Sequence, residues 1–372
     1  MPEPLANGLL LRSLRDPSIL VNLPEADWRD VLDCARDAGL LARLQSLLAD
    51  RRELGQIPEK ARVQLEEARS FVRRNQTDIR FEANRVARAL GGLEVPIVLL
   101  KGAAYLIADL PAAGRHIAAD LDILVPKDRL GAVERTMLAA GWQRATLSDY
   151  DERYYRDWMH EIPPLWHPER LFAVDVHHSI LPTTSRYKPN VEALFAAAVQ
   201  TDQGSLKVLC PADLVLHAAA HLFTEEFVSG LRQIADLHDL LEHFGREQGF
   251  WDDLLTRSRL HGLERILYYA LRYTSQLLDT RIPSEVRTAA EGHRPNVLAR
   301  AIMDAAVVSA VRPTALGETR PGRRLALGVL RARSHWLKMP PLLLARHLVV
   351  KTGRALRNRV RLPSAKTAAS TN

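Results

Sequence analysis

Apolar positions recur at a helical period over residues 1–90, give way to unbroken and alternating runs, then return to a helical period from Asp213 onward. In the first stretch, Asp27-Trp28-Arg29-Asp30-Val31-Leu32-Asp33-Cys34-Ala35 repeats at three to four residues, with Gly39 as a stop signal. Leu40 to Leu48 resumes that period. Pro58 opens a long helix through Val63, Leu65, Phe71, Ile79, Phe81, Val86 and Leu90. Nothing here suggests chemistry. Asn75 and Arg85 read as solvent or inter-helix contacts, and the stretch as a helical cap.

The pattern changes at Val95. Pro96-Ile97-Val98-Leu99-Leu100 suits a buried strand, Lys101-Gly102 ends it, and Ala103 to Leu110 reads as a helix. A Gly at such a turn lets backbone approach a ligand, and a helix start offers unpaired N–H groups to an anion. After a loop carrying Pro111, Gly114 and Arg115, Ala119 to Val125 reads as a second strand. Alternation puts Asp120 and Asp122 on one face and Leu121 and Ile123 on the other. Two adjacent carboxylates in an apolar strand repel each other and are costly to bury unpaired, and a divalent cation is the usual remedy.

Asp128 to Ala140 follows as an amphipathic helix, ended by Gly141. Asp149 to His167 holds Tyr150, Tyr154, Tyr155, Trp158 and Trp166. It reads as a hairpin whose rings cover a sheet edge, with base or acceptor stacking as the alternative. Leu171 to His177 is a strand with Asp175 between valines; period two puts Asp175 and His177 on one face and His178 on the other. Leu206 to Leu209 is a short strand, and Pro211 or Ala212 starts the next helix. Helices then follow at Leu231–Phe244, Trp251–Ser258 and Leu263–Leu278. His217 and His221 share a helix face, with Asp236 and Asp239 on the next helix. The spacing reads better as polar packing where the helical part meets the sheet than as a second metal centre, with His221, Arg232 and Asp236 near the substrate.

LLKGAAYL, then Arg115, then DLDILV, with Asp175 as a third acid on a later strand, resembles a bacterial family of uncharacterised nucleotidyltransferases within the polymerase β-type superfamily. The resemblance covers roughly Leu93 to Leu209, with weaker helical likeness to about Leu278. It implies an α/β (α+β) fold: a polymerase β-like palm with a short mixed sheet, flanked by N-terminal and C-terminal helical units. The expected divisions are 1–92, 93–210, 211–311 and a basic arm at 312–372. Asp120, Asp122 and Asp175 would hold Mg²⁺ (or Mn²⁺) and carry catalysis. Lys101, Gly102, Ala103 and Arg115 would bind the triphosphate of an NTP, ATP first. His177 would bridge phosphate or orient Asp175. The implied reaction is transfer of an NMP to an acceptor hydroxyl.

Two departures support a different class of function. Ala103 stands where the broader pattern has Ser or Gly, and the interval from Gly102 to Asp120 is long. The alternative is a non-catalytic scaffold on the same fold that binds a nucleotide or partner.

Composition adds limits. At 372 residues, 47% hydrophobic and 26% charged, the sequence is that of a globular protein with room for a sizeable core. Cys34 and Cys210 fit no metal spacing and suit a reducing compartment. The start lacks a signal-like pattern and no apolar run reaches the ~18–20 residues of a membrane span, so the expected location is cytoplasmic, at most peripheral at a membrane. From Arg312 onward, 11 Arg and 3 Lys face one acid, Glu318, a net +13. The whole chain is +7, which leaves −6 for residues 1–311. Residues 312–361 are therefore expected to meet an anionic membrane surface or nucleic acid, or to dock on the acidic body. Residues 363–372 are small and polar, with no expected structure.

Overall fold

The computed structural model describes residues 8–115, 117–312 and 321–346. Four helices build the N-terminal unit: α1 (Leu9–Arg15), α2 (Glu25–Asp37), α3 (Leu41–Asp50) and α4 (Glu59–Leu90). Gly39 separates α2 from α3 with φ 69°, the left-handed conformation that glycine adopts without a Cβ penalty. The long α4 buries Leu65, Val72, Ile79, Ala83, Val86 and Leu90 on one stripe, while Val63, Phe71 and Phe81, read with them from the sequence, are exposed.

The central part alternates strands and helices: β1 (Ile97–Leu99), α5 (Lys101–Ile107), β2 (Leu121–Leu124), α6 (Leu130–Ala139), β3 (Gln143–Arg144), α7 (Asp149–Arg153), β4 (Leu165–Trp166), β5 (Val174–His177), α8 (Val191–Ala196), β6 (Val199–Gln200) and β7 (Leu206–Val208). They form a mixed seven-stranded sheet in the order β3-β4-β5-β2-β1-β7-β6. β2 runs antiparallel to β1 and parallel to β5, and β1 runs parallel to β7. β1 and β2 are buried along their whole length, which is why they read as apolar runs broken only by Asp122. The chain is a mixed α/β protein with flanking helices, as expected.

One local expectation changes. Residues 149–158 are not an edge hairpin but α7 continued by a π-helical turn, Tyr154–Trp158. Ser148 caps this helix by accepting from the Asp151 N–H, and Asp149, Asp151 and Glu152 place negative charge at its positive end. Tyr150 and Tyr154 each pack edge to face on Trp158. The strand in this region is β4, paired with β3 and β5.

Helices α9 (Pro211–Thr224), α10 (Gly230–Phe244), α11 (Phe250–Leu260), α12 (Glu264–Leu278), α13 (Ser284–Glu291), α14 (Val297–Val311) and α15 (Pro321–Lys338) complete the described fold. α9 is buried on nearly every side, and its polar Asp213 is matched by Arg257 and His261. The basic segment does not break from this body at residue 312. In α15, Ser334 donates to the Thr224 carbonyl at 2.6 Å, Arg331 pairs with Glu226 at 2.6 Å, and Arg333 and Lys338 reach Phe223 O and Glu225. The expectations for residues 347–372, including an unstructured end, lie outside the described residues. No helix among the described residues is long and apolar enough to cross a membrane.

A buried ion hub ties the N-terminal unit to the C-terminal helices. Arg43 of α3 makes two bonds to the Asp239 carboxylate of α10, at 2.6 and 2.8 Å. Arg115 adds a third to Asp239 at 2.7 Å and reaches Asp50 at 3.0 Å. Arg43 and Asp239 are almost wholly buried, so removing the stronger partner leaves a poorly compensated charge in low dielectric. Arg43→Met is expected to lower the unfolding free energy by about 3 kcal/mol or more, and Arg115→Met by less, because Asp239 keeps both bonds from Arg43. Urea denaturation checks both. Equal small losses would show that the hub does not carry the docking of α3 on α10.

Candidate active site

Three backbone segments converge on Asp122. β2 is held on one side by Leu100 N–H donating to Asp122 O at 3.0 Å. On the other side Leu121 N–H donates to Ala173 O and Val125 N–H to His177 O, both at 2.9 Å. The register pairs Asp122 with Asp175 and Leu124 with His177. Neighbouring strands lie about 4.8 Å apart, so the two carboxylates stand side by side on one face. Asp120 lies one residue before the strand rather than inside it, yet it shares the wall of the same cavity with Asp122.

The loop leading to Asp120 is fixed from outside. Asn75 of α4 donates to Ala118 O at 2.9 Å and accepts from Ala118 N–H at 3.0 Å. Gln76 bonds Ala113 O at 2.8 Å, and Arg69 bonds Gly114 O. The turn after β1 is unusual in another way. Its left-handed residue is Lys101, φ 48°, and not Gly102. A non-glycine residue in that region costs about 1–3 kcal/mol. The Lys101 ammonium sits 2.6 Å from Asp122 Oδ1.

His177 Nε2 also lies 2.8 Å from Asp122 Oδ1. Burial opposes ionisation of Asp122, but Lys101 and His177 outweigh it and hold the carboxyl well below its usual range. In turn, burial acting against the Lys101 ammonium is overcome by Asp122 and Asp120, which hold Lys101 charged. The other carboxyls lack such partners. Burial and the Asp122 charge push Asp120 up, and burial with Asp122, Glu161 and Asp120 pushes Asp175 to about 7. Asp175 Oδ1 is buried with no hydrogen-bond partner. Asp122, Asp175 and His177 each present a donor atom within 4.8 Å of the others.

Beside this cluster lies a cavity of about 210 Å³ whose wall includes Lys101, Gly102, Asp120, Asp122, His221, Arg232 and Asp236. The structure thus brings Asp120, Asp122, the turn and three of the four residues expected near the substrate to one cavity, while Asp175 and His177 adjoin Asp122 without lining its wall. Burial and the nearby Lys101 charge keep His217 (about 3) and His221 neutral. Among the described residues, His217 and His221 belong to no group able to hold a metal.

Two expected nucleotide contacts lie elsewhere. Arg115 is not at the cavity; its guanidinium is spent on Asp239 and Asp50. Ala103 packs in the hydrophobic core and does not line the cavity. Two contributors were not legible in the sequence. Asn75 read as a helix contact, and it instead clamps the backbone beside Asp120. Glu161, 3.4 Å from His177 Nδ1, belongs to an irregular segment bridged to β5 only at Glu161–His177.

The sheet, the paired carboxylates and the adjoining cavity define a nucleotidyltransferase-type α/β protein. Residues 24–279, well over half of the chain, match the family described as uncharacterised nucleotidyltransferase, and the chain belongs to that family and is a nucleotidyltransferase. The match takes in every strand and helices α2 to α12. No curated protein and no solved structure matches.

Asp175 has a pH signature that needs no substrate. Its folded pKa of about 7 lies above the ordinary 3.8, so the unfolded chain ionises first as pH rises. Stability from this group is full below about pH 4 and is lost as pH climbs through 7. Asp175→Asn is therefore expected to match wild type near pH 4 and to exceed it at pH 8 by on the order of 2–4 kcal/mol. Urea denaturation in chelator at both pH values decides it; a gain that is equal at both would refute a raised Asp175.

Proposed function

We propose that the protein transfers a nucleoside monophosphate from an NTP, with ATP the first to test, to an acceptor hydroxyl, using Mg²⁺ or Mn²⁺. The observation that carries this reading is the β2–β5 register, which sets Asp122 beside Asp175 with Asp120 at the same cavity wall. The donor set fits the ion: carboxylate oxygens suit hard divalent cations, and the unpartnered Asp175 Oδ1 is a buried acceptor that lacks a counterpart. Asp120, Asp122 and Asp175 would hold the ion, which when bound neutralises polyphosphate charge and makes the acceptor hydroxyl easier to deprotonate.

The chain's own groups supply the rest. Asp175 would share the ion nearest the acceptor hydroxyl, lowering that hydroxyl's pKa or acting as its base. Lys101 and Arg232 bring positive charge to the cavity, and Gly102 leaves room for close backbone approach. At about 210 Å³ the cavity is smaller than the roughly 300–1,000 Å³ of pockets that enclose a whole ligand. It takes the phosphate end, with the base outside. Since Arg331, Arg333 and Lys338 are engaged on the body, an anionic membrane or nucleic-acid partner would be met by the other basic residues of 312–361. The substrates place the work in the cytoplasm.

One observation favours a second reading, a nucleotide- or partner-binding scaffold without turnover. Lys101 already sets a resident cation on Asp122 Oδ1. The two readings part on metal-dependent release of pyrophosphate from each of the four NTPs. Asp120→Asn and Asp122→Asn are expected to abolish it in folded protein. Lys101→Ala is expected to weaken NTP affinity by about 1.5–3 kcal/mol, the value of a lost charged phosphate contact, measured by calorimetry. No release by wild type, with NTP binding intact, would move the scaffold ahead.

A further inference from the structure

His177, which does not line the cavity, turns its second nitrogen toward a different set of groups. His177 Nε2 is engaged by Asp122 Oδ1 at 2.8 Å. Its other nitrogen, Nδ1, is buried without a hydrogen-bond partner, and Glu161 Oε2 lies 3.4 Å from it. A cation between the two would give Nδ1 its missing partner, and a third donor stands beside them. The His160 ring stacks obliquely on His177 with centroids 5.0 Å apart, and His160 Nδ1 is also buried without a partner. One donor atom from each of His160, Glu161 and His177 lies within 4.8 Å of the other two.

We propose that His160, Glu161 and His177 form a binding site for a zinc-class transition-metal ion, separate from the carboxylate site of Asp120, Asp122 and Asp175. Two imidazoles and one carboxylate suit zinc and its neighbours better than Mg²⁺, which takes oxygen ligands. Three protein ligands leave a fourth position open, as in zinc sites that bind a water or substrate. The Asp122–His177 bond gives the site the outer carboxylate that metal-bound histidines commonly have, fixing the tautomer that frees Nδ1 for the ion. The backbone is set for it: His178 N–H donates to His160 O at 2.7 Å, and Ile162 N–H to Val176 O at 3.1 Å, so the segment is laid along β5.

The test uses the full chain stripped with chelator and titrated with Zn²⁺ by calorimetry, with X-ray absorption on the loaded protein to count imidazole ligands. Wild type is expected to bind one zinc with two imidazoles. Asp175→Asn should keep that zinc, since it touches only the carboxylate site. Glu161→Gln and His160→Ala should each weaken it by more than the roughly 10–100-fold that loss of an outer-sphere partner costs. Glu161→Gln preserves volume and guards against a folding defect in the histidine variant. The proposal is overturned if wild type and Glu161→Gln bind zinc alike, if absorption shows no imidazole, or if Asp175→Asn loses the zinc. None of these readouts depends on nucleotide turnover, so the site and the proposed reaction can fail separately.

Discussion

The site rests on one buried charge. Asp122 is 2% exposed in the middle of an otherwise apolar strand, and an isolated carboxylate there would be prohibitive. It persists because two groups from flanking elements meet the same oxygen, Lys101 from the turn after β1 and His177 from the end of β5. Losing one partner of a buried pair typically costs about 3–5 kcal/mol, comparable to much of a domain's net stability. The strand order must therefore place β1 and β5 on either side of β2. Once both counter-groups are committed to Asp122, its neighbours Asp120 and Asp175 are left with unbalanced negative charge. Burial, with the ionised Asp122 beside it, raises the pKa of Asp175.

The helices contribute position more than chemistry. α4 sends Asn75, Gln76 and Arg69 onto carbonyls of the loop before β2, so Asp120 is held by backbone contacts with a helix far away in sequence. The Arg43–Asp239–Arg115 hub anchors the same loop to α3 and α10 from the other side. A carboxylate ahead of its strand, outside the ladder, needs such external fixing, because no strand bond sets its direction.

What could be read from the sequence is what depends on local order. Helix periods and the Pro96–Leu100 and Ala119–Val125 runs are encoded within a few residues, and the fold follows them, except that β2 begins at Leu121 and leaves Asp120 ahead of it. Arg115 shows where that stops. A guanidinium five residues before an Asp-x-Asp strand reads as a phosphate ligand, and only the tertiary position of Asp239, 124 residues later, shows that it is already spent. Glu161 had no signal because its segment has no period; a single bridge to β5 places it. The helix at 149–158 was missed because its aromatic content suggested a strand, while a capping serine and three acids in its first turn decided otherwise. Among long-range features, the side-by-side acids on β2 and β5 were accessible only through family resemblance, since spacing cannot supply a parallel register.

Lys101 links the proposed chemistry to the resting structure. Its ammonium now neutralises Asp122, at the cost of a left-handed backbone. On the proposed reading, a polyphosphate in the cavity offers that ammonium a second anion, while a divalent cation offers Asp122 a second counter-charge. Each ligand alone must loosen the Lys101–Asp122 pair, leaving Asp122 with His177 only or Lys101 without its nearest anion. Both together replace one pair by two. Nucleotide and metal would then favour each other's binding through a single side chain, with no movement of the sheet, because each lowers the free energy the other must spend. The same pair that makes the buried carboxylate tolerable without substrate would thus make the site respond to the two ligands together more strongly than to either one.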